Sequence, residues 1–212
     1  MAADPVSFIT YFARKGYWRH ASTICLENLK TRPQDPVLSF WRALSIVKEG
    51  SVTDGIRDLD TLQQKNNRDL SLAVPIALIY AHRQCNLVDQ ESIDEAQALL
   101  DISEQTASER GFLIAAQASL FCTQPELAKK FSQKLIDSNS TLKNAAHVVA
   151  GWVALEASDA GVARASQHFD TVLAVPGRKE LDALLGRAAV CEKLKKYSLA
   201  LDSYNQGACY LY

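Results

Sequence analysis

The chain has 212 residues, 48% of them apolar and 22% charged, with a formal net charge of −1 at pH 7. That balance belongs to an ordinary folded protein and argues against a disordered or low-complexity chain. It gives no electrostatic reason to expect nucleic acid or an anionic membrane as a partner, and the longest uncharged stretch, Gly111 to Pro125, is too short to cross a bilayer.

At the N-terminus, Asp4 and the pair Arg14-Lys15 leave no continuous apolar run of the kind a signal peptide requires. A helical-hairpin skeleton then begins and recurs to the end. The first hairpin offers Phe8 and Phe12 on helix A and Ala21 and Cys25 on helix B, with Pro33 closing the turn. The second starts at Pro36, a residue tolerated in a first helical turn, and carries Ala43 and Ile46, then Gly55, Leu59 and Leu62. The third has Ile76, Ala77 and Tyr80, then Ala96 and Leu100. Pro75 reads as a first-turn proline or a mild kink after an N-cap at Ser71. The fourth has Phe112, Ala115 and Ala116, then Ala128 and Leu135. The fifth has Ala146, Val149, Ala150 and Val153, then Ala165, Phe169 and Val172, closed near Pro176. The sixth runs from Leu184 through Gly186 and Ala188 to Cys191, then from Tyr197 through Ala200 to Tyr204. Ala200 is expected to meet its own helix A near Gly186 and Ala188.

The small residue on helix B appears as Ala21, Gly55, Ala96, Ala128, Ala165 and Ala200, at intervals of 34, 41, 32, 37 and 35 residues. Two helices of about 14 residues and their turns fill such a period, and small residues are needed where the backbones approach. This is the tetratricopeptide pattern. It predicts an all-α, right-handed superhelical solenoid of about six tetratricopeptide-like hairpins, with about twelve helices and no sheet, as one domain over residues 1–212. Two irregularities read as insertions at the edge of the stack: Arg83–Glu91 lengthens the third repeat by about seven residues and Glu156–Gly161 the fifth by about three. The run from Tyr204 to Tyr212 is apolar and aromatic with no closing polar helix, which is expected of the N-terminal part of a longer array.

The sequence carries no catalytic pattern. His20, His82, His147 and His168 are scattered without His-x3-His or His-Glu-x2-His spacing, and no glycine-rich phosphate loop is present. Asp54, Asp58 and Asp60 read as a solvated stripe on one helix. The five cysteines, at positions 25, 85, 122, 191 and 209, form no Cys-x2-Cys pair and read as small core residues of a reducing compartment. No cofactor, metal or catalytic residue is expected. Stacked hairpins of this kind generally bind other proteins.

A more specific likeness is carried by Tyr11-Phe12-Ala13-Arg14-Lys15-Gly16-Tyr17-Trp18-Arg19-His20, by Asp35-Pro36-Val37-Leu38-Ser39-Phe40-Trp41 with Glu49-Gly50 behind it, and by Leu78-Ile79-Tyr80-Ala81-His82. These segments resemble the start of the tetratricopeptide repeat protein 21 family, the large repeat subunit of intraflagellar transport complex A. The likeness is good over residues 1–100 and more generic over 101–212. It implies a non-enzymatic scaffold supporting retrograde ciliary transport and ciliary entry of membrane cargo. Its implied partners are the other subunits of complex A and, beyond them, complex B, with no nucleic acid and no direct membrane insertion. Its implied location is the cytoplasm and the axoneme and basal body of a cilium.

In such a superhelix the A helices line the inner curve. The side chains placed there are Val6, Thr10, Phe40, Leu44, Val74, Leu78, Leu113, Gln117, His147 and Leu185, with Gly151 and Ala189 beside them. Capture of an acidic C-terminus would call for Lys, Arg and Asn at these positions. The mainly apolar set suits an amphipathic helix or another part of the same array. The alternative reading, from a different class of function, is a generic cytoplasmic adaptor or co-chaperone binding short peptides or helices.

Overall fold

The computed structural model describes residues 5–138, 140–157, 159–175 and 180–208. Twelve α-helices run through them: α1 (Pro5–Arg14), α2 (Trp18–Thr31), α3 (Pro36–Lys48), α4 (Val52–Gln64), α5 (Ala73–Arg83), α6 (Gln90–Ser103), α7 (Glu109–Phe121), α8 (Pro125–Asp137), α9 (Lys143–Ala157), α10 (Val162–Leu173), α11 (Leu181–Lys193) and α12 (Tyr197–Ala208). No strand occurs among the described residues. The odd-numbered helices are the A helices of the six expected repeats and the even-numbered ones the B helices. The chain divides into two compact units, residues 1–124 with α1–α7 and residues 125–212 with α8–α12. The proposed close at Pro176, together with Cys209 and Tyr210 to Tyr212, lies outside the described residues.

Local chemistry sets several of these boundaries. Asp35 caps α3 by accepting from the backbone N–H of Val37 (3.0 Å) and Leu38 (3.2 Å), with Pro36 as the first helical residue. Asp89 caps α6 through Ser92 N–H, and Ser108 caps α7 through Gly111 N–H. Ser71 does not cap α5. The helix starts after Leu72, and the Ser71 hydroxyl donates to the Arg68 carbonyl instead. Pro75 then falls in the first turn of α5, where its missing N–H costs no helical bond.

Four of the six A-to-B turns share one geometry. The residue two before helix B has positive φ: Gly16 (75°), Gly50 (98°), Thr123 (56°) and Lys195 (59°). The next N–H reaches back over the turn in each case: Tyr17 to Phe12 O, Ser51 to Ile46 O, Gln124 to Ser119 O and Lys196 to Cys191 O. This is a Schellman closure, in which a left-handed residue stops helix A. The two remaining repeats are the two read as carrying insertions. Repeat three crosses by residues 84–89, a shorter loop than the expected Arg83–Glu91 because Arg83 ends α5 and Gln90 begins α6. Repeat five crosses through a 3-10 turn, Asp159–Gly161, with Glu156 and Ala157 still helical in α9.

All six recurring small residues are buried, so the register read from them holds. In the first unit, α2 packs on α3, α3 on α4, and α4 on α5. Helix α5 is buried on almost every side from Ala73 to Ile79, as a helix that is apolar all round must be. In the second unit, α8 packs on α9, α9 on α10, α10 on α11 and α11 on α12. Its core gathers around Phe169, fully buried, with Val148, Leu155, Val162, Val172 and Val190. Gly186 also meets a neighbour outside its own hairpin. It faces the Phe169 ring of α10, and a Cβ built on it would lie 2.3 Å from that ring.

Candidate protein-binding surface

The side chains expected on the inner curve divide by burial. Within the first unit, Phe40 and Leu44 are fully buried and Thr10, Val74 and Leu78 nearly so. The Thr10 hydroxyl donates back to the Val6 and Ser7 carbonyls, a satisfied i−4 arrangement. Val6, Leu113 and Gln117 are half-buried. Within the second unit, His147, Leu185 and Ala189 are half-buried, while Gly151 is buried against the Phe169 ring.

An aromatic cluster not foreseen from the sequence lies in the first unit. The Phe121 ring, at the end of α7, meets Trp18 of α2 edge-on (centroids 5.5 Å apart) and Trp41 of α3 (5.7 Å). The Arg14 guanidinium stands over Phe121 at 5.8 Å. Beside them the Lys48 ammonium sits 3.9 Å from the Tyr80 ring centroid and 5.6 Å from that of Trp18. Cations over aromatic faces are attracted by the ring quadrupole, so Lys48 ties α3 to α2 and α5. Repeats one to four all contribute to this cluster. Nothing in the spacing of Trp18, Trp41 and Phe121 could have announced it.

In the second unit, His147 and His168 approach with Nδ1 to Nδ1 at 3.0 Å, bridging α9 and α10. Burial depresses the basicity of both imidazoles. Lys143 adds to this for His147, and His147 and Arg164 add to it for His168. At neutral pH the pair is uncharged, with one ring donating and the other accepting. Among the described residues no group of three or more His, Cys, Asp or Glu could hold a metal ion. Cys25, Cys122 and Cys191 are buried and Cys85 is half-buried. Burial pushes the thiols of Cys25 and Cys122 up to about 12, far from the thiolate form that nucleophilic chemistry needs. The acidic stripe on α4 is partly paired: Asp54 with Arg57 (3.0 Å) and Asp58 with Arg42 (3.6 Å).

A cavity of about 100 Å³ opens between α4, the following linker, α5 and α6. Leu62, Gln63, Leu70, Val74, Leu99 and Ser103 are among its lining residues. It has room for a side chain and is well short of what a cofactor needs. Beside it, α6 presents Leu99 and Ile102 to solvent. Among the described residues, no helix is long and apolar enough to cross a membrane.

The sequence profile described as "Tetratricopeptide repeat protein 21 N-terminal ARM repeat" matches residues 9–209. Human tetratricopeptide repeat protein 21A is 27% identical over 93% of this chain and 15% of its own length. Human tetratricopeptide repeat protein 21B is 27% identical over 94% of the chain and 15% of its own length. The Caenorhabditis elegans tetratricopeptide repeat protein 21 homolog is 28% identical over 71% of the chain and 11% of its own length. The chain therefore spans about a sixth or less of the curated relatives it matches. With paired helices throughout and a profile match covering nearly all of it, the chain belongs to the tetratricopeptide repeat protein 21 family, in the N-terminal repeat region.

Proposed function

We propose that this chain is part of a non-enzymatic scaffold subunit of intraflagellar transport complex A, supporting retrograde ciliary transport and ciliary entry of membrane cargo through protein–protein contacts. Membership of the family over residues 9–209 carries the reading, because the family resemblance is what implies that assembly. Its partners on this reading are the other complex A subunits and complex B. On this reading the chain is part of a longer array, as in relatives several times its length. The side chains that suit an inner groove also favour a scaffold over a carboxylate-capturing co-chaperone. Val6, Leu113, Gln117, His147 and Leu185, the half-buried members of that set, include no Lys, Arg or Asn.

The test is localisation and loss. The tagged parent protein should concentrate at basal bodies and axonemes of a ciliated cell. Its removal should leave short cilia with transport material accumulated at the tips, since return transport fails while delivery continues. An even cytosolic distribution, together with micromolar capture of an acidic C-terminal peptide by the purified chain, would overturn the scaffold reading in favour of the adaptor.

A further inference from the structure

Helix α6 differs from the other B helices. In the rest of the first unit each B helix packs on the A helix that follows it, α2 on α3 and α4 on α5, and in the second unit α8 packs on α9 and α10 on α11. Within the first unit, and among the described residues, helix α6 packs extensively only on α5, and α7 seats on α5 in its place. The N-terminus of α7 is drawn there by polar contacts with the linker before α5. Ser108 bonds to Asp69, Arg110 stands 3.8 Å from the same carboxylate, and Gly111 lies close under the Arg68 carbonyl. The outer side of α6 is left open.

The chemistry of that side is polarised. Glu91, Glu95, Ala98 and Ile102 fall at i, i+4, i+7 and i+11, one stripe of the helix. The end near Glu91 is acidic. The other end is apolar, with Ile102 67% exposed and Leu99 at the lip of the cavity. From Gln90 to Glu104 the chain has five carboxylates and no Lys, Arg or His. Asp94 and Asp101 accept from Gln90 and Gln97 rather than from a cation. Inside the cavity's lining, Gln63 Oε1 is buried without a hydrogen-bond partner among the described residues.

We propose that this face docks a basic amphipathic helix of another protein. An apolar side chain of the partner enters the cavity beside Leu99, its neighbours cover Ile102, and its Lys or Arg residues lie along Glu91, Asp94 and Glu95. Charge complementarity selects the partner: an acidic helix would be repelled at the acidic end near Glu91 and Glu95, and a neutral one would leave those carboxylates unmatched. A second copy of this chain fits poorly. Its most lysine-rich helix, α8, carries Lys129, Lys130 and Lys134, but Ala128, Phe131 and Leu135 of that helix are already buried. This inference goes beyond the assembly reading and is tested without cilia.

The probe is a labelled 18-residue helical peptide with Leu at third and fourth positions and Lys elsewhere. Its controls are a scrambled peptide of equal composition and a version with Glu for Lys. The 212-residue chain should bind the probe saturably in the micromolar range, and both controls at least about tenfold more weakly. Ile102→Asp and the double variant Glu91→Lys/Glu95→Lys should each weaken binding at least about tenfold with the chain still folded, because these side chains are exposed. Leu201→Asp, at an exposed apolar position on α12, should leave affinity as it was. The proposal fails if no saturable binding occurs, if the scrambled peptide binds equally, if Ile102→Asp has no effect, or if Leu201→Asp weakens binding as much. It also fails if sedimentation shows a dimer of the chain that Ile102→Asp dissolves, since the occupant would then be a second copy.

Discussion

Repeats two and five meet the same requirement from opposite sides. In repeat two the glycine is on helix B. A Cβ on Gly55 would lie 2.3 Å from a Val47 methyl and 3.1–3.2 Å from the α3 backbone, so helix A pushes into helix B. In repeat five the glycine is on helix A. The Phe169 ring of α10 projects into space that a Cβ on Gly151 (2.7 Å) or on Gly186 of the next repeat (2.3 Å) would occupy. Close approach of two helices needs one small residue opposite one large one, and either helix can supply either. What differs is the obstacle, which is partly main chain in repeat two and a ring in repeat five.

The largest expected effect is removal of that ring. Phe169 is fully buried among two glycines and a valine-rich shell, so the site has little with which to collapse. Phe169→Ala should cost about 3–5 kcal/mol and lower the urea midpoint of the chain sharply. A loss as small as that of a surface substitution would mean the glycines are not holding the ring.

Glycine replacement sharpens the comparison. Gly186→Ala should cost about 1–3 kcal/mol through overpacking, against the gain of about 1 kcal/mol that alanine normally brings to a helix interior. In a Phe169→Leu background the cost should largely vanish, because the clashing atoms belong to the ring alone. Gly55→Ala should cost a similar amount, but Val47→Ala should recover only part of it, since the Val47 N and Ala43 O atoms remain within 3.2 Å. Equal recovery in the two double-mutant cycles would erase the distinction between a ring and a backbone obstacle.

These particulars show what a sequence of this kind reveals. The twelve helices, the buried small residues and the proline in the first turn of α3 follow from periodicity, which is a local property. The Phe169 ring beside Gly186 is not legible there, because a residue's spacing names its face and not every neighbour it meets. Trp18, Trp41 and Phe121 belong to three repeats, and the contact among them depends on how successive hairpins rotate, a sum of small angles that no single repeat encodes. His147 and His168 are 21 residues apart, on two helices of one repeat, and meet only because α9 and α10 pack in one register. The open side of α6 was equally hidden, since its cause is the seating of α7 through Ser108, Arg110 and Gly111. Even the cap of α5 was decided by a competing local bond, with the Ser71 hydroxyl turned back to the Arg68 carbonyl.

The histidine pair gives the second unit a pH response. Both imidazoles are held below their ordinary value of 6.5, first by burial and then by Lys143 for His147 and by His147 and Arg164 for His168. As pH falls through that value the unfolded chain takes up protons that the folded chain resists. Stability is therefore full above about 6.5 and is lost as pH falls below it. The melting temperature should drop between pH 7.5 and pH 5.5, and the double variant His147→Gln/His168→Gln should show a smaller drop. Parallel curves for the two proteins would place the acid sensitivity elsewhere.

The smallest effect concerns the shared turn. Gly16 and Gly50 occupy its left-handed position at no steric cost, whereas Thr123 closes the first unit and Lys195 serves the second with a Cβ in the same conformation. Lys195 is exposed and its side chain supplies none of the turn's backbone bonds. Lys195→Gly should therefore stabilise the chain by something under about 1 kcal/mol, the relief of backbone strain being offset in part by greater freedom of the unfolded chain. Lys195→Ala keeps a Cβ at the strained position and should change stability by less than about 0.5 kcal/mol. Thr123→Gly should gain more than Lys195→Gly, because a β-branched residue is the least suited to positive φ. A loss of stability in both glycine variants would mean that these side chains hold the turn by contacts stronger than the strain they impose.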